Sequence, residues 1–73
     1  MIEVLNFTIN KNNGSYRTDK YRIVKEYKGG IERYRIQYET PINGFLTYVN
    51  ESDEYWVSLD HVLASARFQN LFK

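Results

Sequence analysis

A chain of 73 residues has room for one domain, residues 1–73, with a thin core, since at this size only about 60% of the unfolded chain's surface is hidden on folding. Its 42% hydrophobic and 16% aromatic content at a net charge of +1 excludes a disordered chain, which would carry fewer aromatics and more net charge. The absence of cysteine excludes a disulfide framework, a thiolate metal site and a cysteine nucleophile together.

The first residues, Met1-Ile2-Glu3-Val4, place an acid where a signal peptide is basic. No stretch approaches the roughly 20 apolar residues that span a bilayer. A cytoplasmic chain without membrane contact is therefore expected, and the sequons at Asn6, Asn13 and Asn50 carry no weight there. Charge is unevenly spread: Lys11 to Arg35 holds eight basic residues and three acids, while Ile36 to Lys73 holds two and five. Such a division produces a polar field that orients partners, or is no more than solvated strands.

In chain order, residues 2–9 alternate, with Leu5, Phe7 and Ile9 on one side, and read as a first strand. Lys11-Asn12-Asn13-Gly14-Ser15 reads as a turn, continued by a loop from Tyr16 to Asp19. Tyr21 to Tyr27 and Ile31 to Thr40 flank Gly29-Gly30, a two-residue hairpin signal. That turn sets Tyr21 against Tyr38, Ile23 against Ile36, Arg22 against Gln37 and Glu26 against Arg33. Aromatic, aliphatic and ionic matches coincide, and a one-residue slip destroys them all.

Asn43-Gly44 signals a second hairpin, setting Thr40 against Thr47 and Tyr38 against Val49. Pro41 has no N–H to give a ladder, so irregularity is expected around it. Residues 45–49 make the fourth strand, Glu51 to Glu54 an acidic turn, and Tyr55-Trp56-Val57 a short fifth strand. Ser58 reads as a helix N-cap with Asp60 at the positive end of the dipole. Leu59, Val62, Leu63 and Ala66 form one amphipathic stripe. Phe68, Leu71 and Phe72 fall on another side, so the helix is either buried on two faces or breaks near Arg67, its tail turning back onto the sheet. The expected fold is α+β: an antiparallel sheet of four to five strands with one C-terminal helix on the face of Leu5, Phe7, Ile23, Ile36, Tyr38 and Val49. Trp56 is expected to anchor sheet to helix.

Chemistry is sparse. Ser58, Asp60 and His61 have the residue types of a hydrolytic triad, but three neighbours at the start of one helix do not converge on a reacting atom. An N-cap with a solvated histidine is the better reading. Glu51, Asp53 and Glu54 lack the spacing and glycine of a calcium loop, and Gly29-Gly30 joins two strands rather than cradling a phosphate at a helix. No enzyme, cofactor or metal site is expected. Arg22, Arg33 and Arg35 share the face opposite Tyr21, Ile23 and Ile36, with Tyr48 beside them. Glu26 and Glu39 share that face, which suits an ordinary solvated sheet surface; as a contact surface, arginine and tyrosine together favour a protein partner.

The expected function is that of a non-enzymatic protein-binding or regulatory domain with these four residues as its contact surface. Asn, Lys, Ile, Phe and Tyr make up 29 of 73 residues. This AT-rich drift is common in phage and mobile-element genes, and points to an inhibitor or adaptor of a host protein. The alternative is an RNA- or single-stranded-DNA-binding module using the same basic strand face. A third reading is a homo-oligomer formed through an uncovered edge strand, the first or the fourth.

Overall fold

The computed structural model describes the backbone of residues 1–12 and 16–73 and the side chains of residues 1–10 and 19–73. Four strands, β1 (Ile2–Asn12), β2 (Tyr16–Lys28), β3 (Ile31–Ile42) and β4 (Phe45–Asn50), form one antiparallel sheet in sequential order. Two short helices, α1 (Leu59–Ala64) and α2 (Ala66–Asn70), follow, giving an α+β fold. No helix among the described residues is long and apolar enough to cross a membrane.

Both expected hairpins are present. Gly29 and Gly30 sit at φ 60° and 77°, Asn43 and Gly44 at 52° and 82°. Two successive positive φ values are what a type I′ turn needs to follow the right-handed twist of its strands. The β2–β3 register pairs Tyr21 with Tyr38, Ile23 with Ile36, Arg22 with Gln37 and Glu26 with Arg33. The β3–β4 register pairs Tyr38 with Val49 and Thr40 with Thr47.

Pro41 stays in register, opposite Leu46, where irregularity was expected. In an antiparallel ladder the backbone groups of alternate residues point to opposite neighbours. That of Pro41 points toward β2, and β2 pairing ends at Tyr21 and Tyr38. The missing N–H therefore falls where no bond is made.

The segment expected to be a loop, Tyr16 to Asp19, belongs to β2 and pairs with β1, Asp19 opposite Ile9. Of the expected turn, residues 13–15 lie outside the described residues. Near its start β1 carries a bulge between Glu3 and Leu5. The bulge leaves Val4 without a partner in the register and packs it against the core, while Leu5, opposite Ile23, remains exposed. Tyr55-Trp56-Val57 is not a fifth strand. Only Trp56 pairs, donating to Tyr34 O at 3.0 Å and accepting from Tyr34 N at 2.7 Å. Residues 52–55 leave the ladder line between this bridge and the bond from Glu51 N to Ile36 O (2.9 Å).

The single expected helix is two, and it breaks at Ser65 rather than Arg67. Ser65 is extended (φ −71°, ψ 149°). Its hydroxyl donates to Val62 O at 2.7 Å at the end of α1 and accepts from Phe68 N at 3.1 Å at the start of α2. One side chain thus satisfies orphan groups at both helix ends. The break also resolves the two-sided apolar pattern: α1 presents Leu59, Val62 and Leu63 to the sheet, and α2 turns Phe68 and Leu71 onto the same core. Phe68 meets Phe7 edge-on at 5.5 Å and Phe72 stacks on it at 5.8 Å. Ile9, Tyr21, Ile23, Ile36 and Val62 form the buried centre, with Trp56 packed against it.

Candidate functional site

The register places Arg22, Arg33 and Arg35 on the face of the sheet away from the helices, with Tyr48 on the same side. They are not presented freely to solvent. Nε of Arg22 donates to Oε1 of Gln37 at 2.8 Å, and its guanidinium lies 4.1 Å from the centre of the Tyr48 ring. Glu3 adds a longer ion pair at 3.7 Å. Arg33 and Arg35 converge on Glu26, at 2.8 and 3.4 Å. Arg35 also donates to Ser52 O at 2.9 Å, and its side chain is only 9% exposed. Arg33 is stacked on Tyr55, 4.6 Å from its centre.

Burial pushes the Glu26 carboxyl up, but the hydrogen bond from Arg33 and the charges of Arg33 and Arg35 outweigh it and hold the group below its ordinary value. Beneath these groups Val24 is fully enclosed although no helix lies on this side. It faces Arg35 across the ladder, and long arginine stems cover apolar neighbours well. The four residues therefore divide into an Arg22–Tyr48 pair and an Arg33–Arg35 pair around Glu26. The first ties β4 to the sheet, and the second ties the 51–55 segment to it through Ser52 and Tyr55.

Tyr27 and Ile31 are exposed beside the β2–β3 turn, and a larger apolar exposure lies at the β3–β4 hairpin and the outer edge of β4. Phe45 is 75% and Leu46 70% exposed, and Ile42, across from Phe45, is exposed as well. Alternation fixes the backbone. The bond from Glu51 N to Ile36 O continues the β3–β4 ladder, so Phe45, Thr47 and Val49 bond inward to β3. Leu46, Tyr48 and Asn50 turn their N–H and C=O groups outward. Among the described residues no strand pairs with that edge.

Edge strands are ordinarily guarded by charge, proline or a bulge. The other edge, β1, carries the bulge and Glu3. The β4 sequence, Phe-Leu-Thr-Tyr-Val-Asn, has no charge, proline or glycine, and its register with β3 is unbroken. The clue was present in the sequence. Phe45 and Leu46 are adjacent in a strand, so they point to opposite faces and helices on one side cannot cover both.

Two concave regions are lined by charged and aromatic side chains. Between β4's continuation and α2, Arg67 bridges Glu51 at 2.9 Å and Glu54 at 3.3 Å. Where β2 and β3 part beyond Tyr21 and Tyr38, a cleft is lined by those two rings with Asp19 and Glu39. Ser58 caps α1 by accepting from His61 N at 3.2 Å and is also hydrogen bonded to His61 Nδ1. Among the described residues no group of three or more His, Asp or Glu side chains is placed to hold a metal ion.

Comparison with protein-family models, with curated proteins and with solved structures finds no match to this chain.

Proposed function

We propose that this chain is a small non-enzymatic protein-binding domain, a regulator or adaptor, and that it engages its partner through the β3–β4 hairpin and the outer edge of β4. One observation carries the reading: a fully apolar and polar-uncharged edge strand, with Phe45 and Leu46 largely exposed at its start. In a chain whose core is thin, large apolar side chains held in water are informative, because burying them inside would have stabilised the fold. A cytoplasmic setting and a phage or mobile-element origin accompany this reading on composition alone.

The binding surface differs from the Arg22, Arg33, Arg35 and Tyr48 group that residue types favour. Those guanidinium groups are committed to Gln37, Glu26, Ser52 and two tyrosine rings. A ligand would have to displace these contacts before gaining its own. The same commitment weakens the RNA or single-stranded-DNA reading, which needs cations free to neutralise phosphates.

The test compares the wild-type chain with Leu46→Lys as bait in cell lysate. A stoichiometric protein retained by the wild type and lost by Leu46→Lys is the expected result. Equal retention by both, or retention of no protein by a chain that is itself monomeric, contradicts the proposal.

A further inference from the structure

We infer that the occupant of the β4 edge is a second copy of this chain, joined by antiparallel β4–β4 pairing about a two-fold axis through Thr47. The inference rests on the reading of β4 as the binding edge and gives that edge a partner. Three properties of β4 carry it.

First, the edge is open and unguarded where β1 is bulged and charged. Two copies approaching edge to edge meet no charge within either strand, so no like charges oppose one another and none is desolvated without a partner.

Second, the backbone permits few registers. Leu46, Tyr48 and Asn50 turn their hydrogen-bonding groups outward, so outward residues must face outward residues. With Thr47 opposite Thr47, Leu46 of each copy faces Tyr48 of the other through paired backbone hydrogen bonds. On the helix side Phe45 of each copy lies beside Val49 of the other. A shift that centres Tyr48 sets Phe45 against the carboxylate of Glu51. A shift that centres Leu46 sets Tyr48 against Gly44 and Val49 against Asn43. The Thr47-centred register alone gives every apolar side chain of β4 an apolar or aromatic mate on both faces of the sheet.

Third, an isologous contact of this kind closes on itself. Its product is a continuous eight-stranded sheet with both helix pairs on one side, because opposed residues of an antiparallel pair share a face. It leaves only the two β1 edges open, and these are the guarded ones. Six residues a side fall short of the about 20–30 a side of a standard stable interface. The dimer is therefore concentration-dependent.

Sedimentation over a range of concentrations and a register-specific cross-link test the inference. The chain has no native cysteine, so a single introduced thiol reports alone. Opposed residues of a non-hydrogen-bonded antiparallel pair have Cα atoms about 4.5 Å apart, within disulfide reach. Thr47→Cys is expected to give a covalent dimer under mild oxidation, and Thr40→Cys, one strand further in, is expected to stay monomeric. The wild type is expected to rise from monomer to dimer mass with concentration. Leu46→Lys is expected to weaken that association by about tenfold or more, a difference of about 1.4 kcal/mol, while keeping the wild-type circular dichroism spectrum.

A single monomeric species at every concentration, or cross-linking at position 47 no faster than at position 40, overturns the inference. A monomeric wild type that still retains a protein lost by Leu46→Lys means that the second copy is the wrong occupant and the binding edge stands. A monomer that retains nothing removes both.

Discussion

Arg22 on β2 reaches across β3 to lie over the ring of Tyr48 of β4, its guanidinium carbon 4.1 Å from the ring centre. The pair ties β4 to the middle of the sheet, because the intervening Gln37 holds Nε of the same arginine and donates its own amide to Asn50 Oδ1 at 3.0 Å. A half-buried stack of this kind contributes about 0.5–2 kcal/mol. Arg22→Ala and Tyr48→Ala are each expected to lower stability by about 1–2 kcal/mol. Their effects are expected to be less than additive in a double-mutant cycle read from urea midpoints. Fully additive effects would mean that the stack contributes nothing.

Glu26 gives the fold an acid limb. Its folded carboxyl lies below the ordinary value of about 4.5, so the ionised form is the one the folded state favours. The stability from this group is complete above that pH and is lost as pH falls through the lower folded value. Glu32 acts in the same sense, held down first by the hydrogen bond from Lys25 and then by that from Tyr27. Glu26→Gln is expected to cost about 1–3 kcal/mol at neutral pH, since two guanidinium groups lose a charged acceptor. Below pH 4 its melting temperature should fall less steeply than that of the wild type. Parallel acid limbs would contradict the assignment.

Ser65 serves both helices with one hydroxyl. Ser65→Ala is expected to cost about 1 kcal/mol and to lower helical ellipticity, while Ser65→Asn retains part of the cap. No loss in thermal melts of Ser65→Ala would show that tertiary packing alone holds α2.

Phe45 and Leu46 contribute little to the isolated fold, because their side chains are largely in water. Phe45→Ser and Leu46→Lys are each expected to change stability by no more than about 0.5 kcal/mol in dilute solution. A loss of several kcal/mol in dilute urea titrations would mean that these residues belong to the core.

The two hairpins were legible from the sequence because local turn chemistry and side-chain pairing agreed. Gly29-Gly30 and Asn43-Gly44 fixed registers that the pairs Tyr21–Tyr38, Glu26–Arg33 and Thr40–Thr47 each satisfied. The helix break was half legible: the two-sided pattern of Leu59, Val62, Phe68 and Leu71 demanded a change of direction. Its place at Ser65 depends on a hydroxyl that serves two helices, which periodicity does not register. The strand at Tyr16 to Asp19 is not legible in the sequence because it rests on pairing with β1, a non-local contact, and not on local propensity.

Alternation along β2 and β3 is enough to put the arginines on the face they occupy. Their commitment to Glu26, Gln37 and Tyr48 depends on distances across three strands, which no spacing along the chain encodes. The sequence offers the β4 edge only as one of two open edges, and does not single it out over β1, for a related reason. Exposure of Phe45 and Leu46 is decided by where the helices end, and the helices lie over Phe7, Tyr21 and Ile36.

Amide hydrogen exchange along the two sheet edges, followed as protein concentration is raised, addresses the β4 edge most directly. The outward amides of Leu46 and Tyr48 are expected to slow as copies associate, while those of Asn6 and Thr8 on the guarded β1 edge remain fast. Fast exchange at Leu46 and Tyr48 at every concentration, or slowing at β1 in their place, would contradict it.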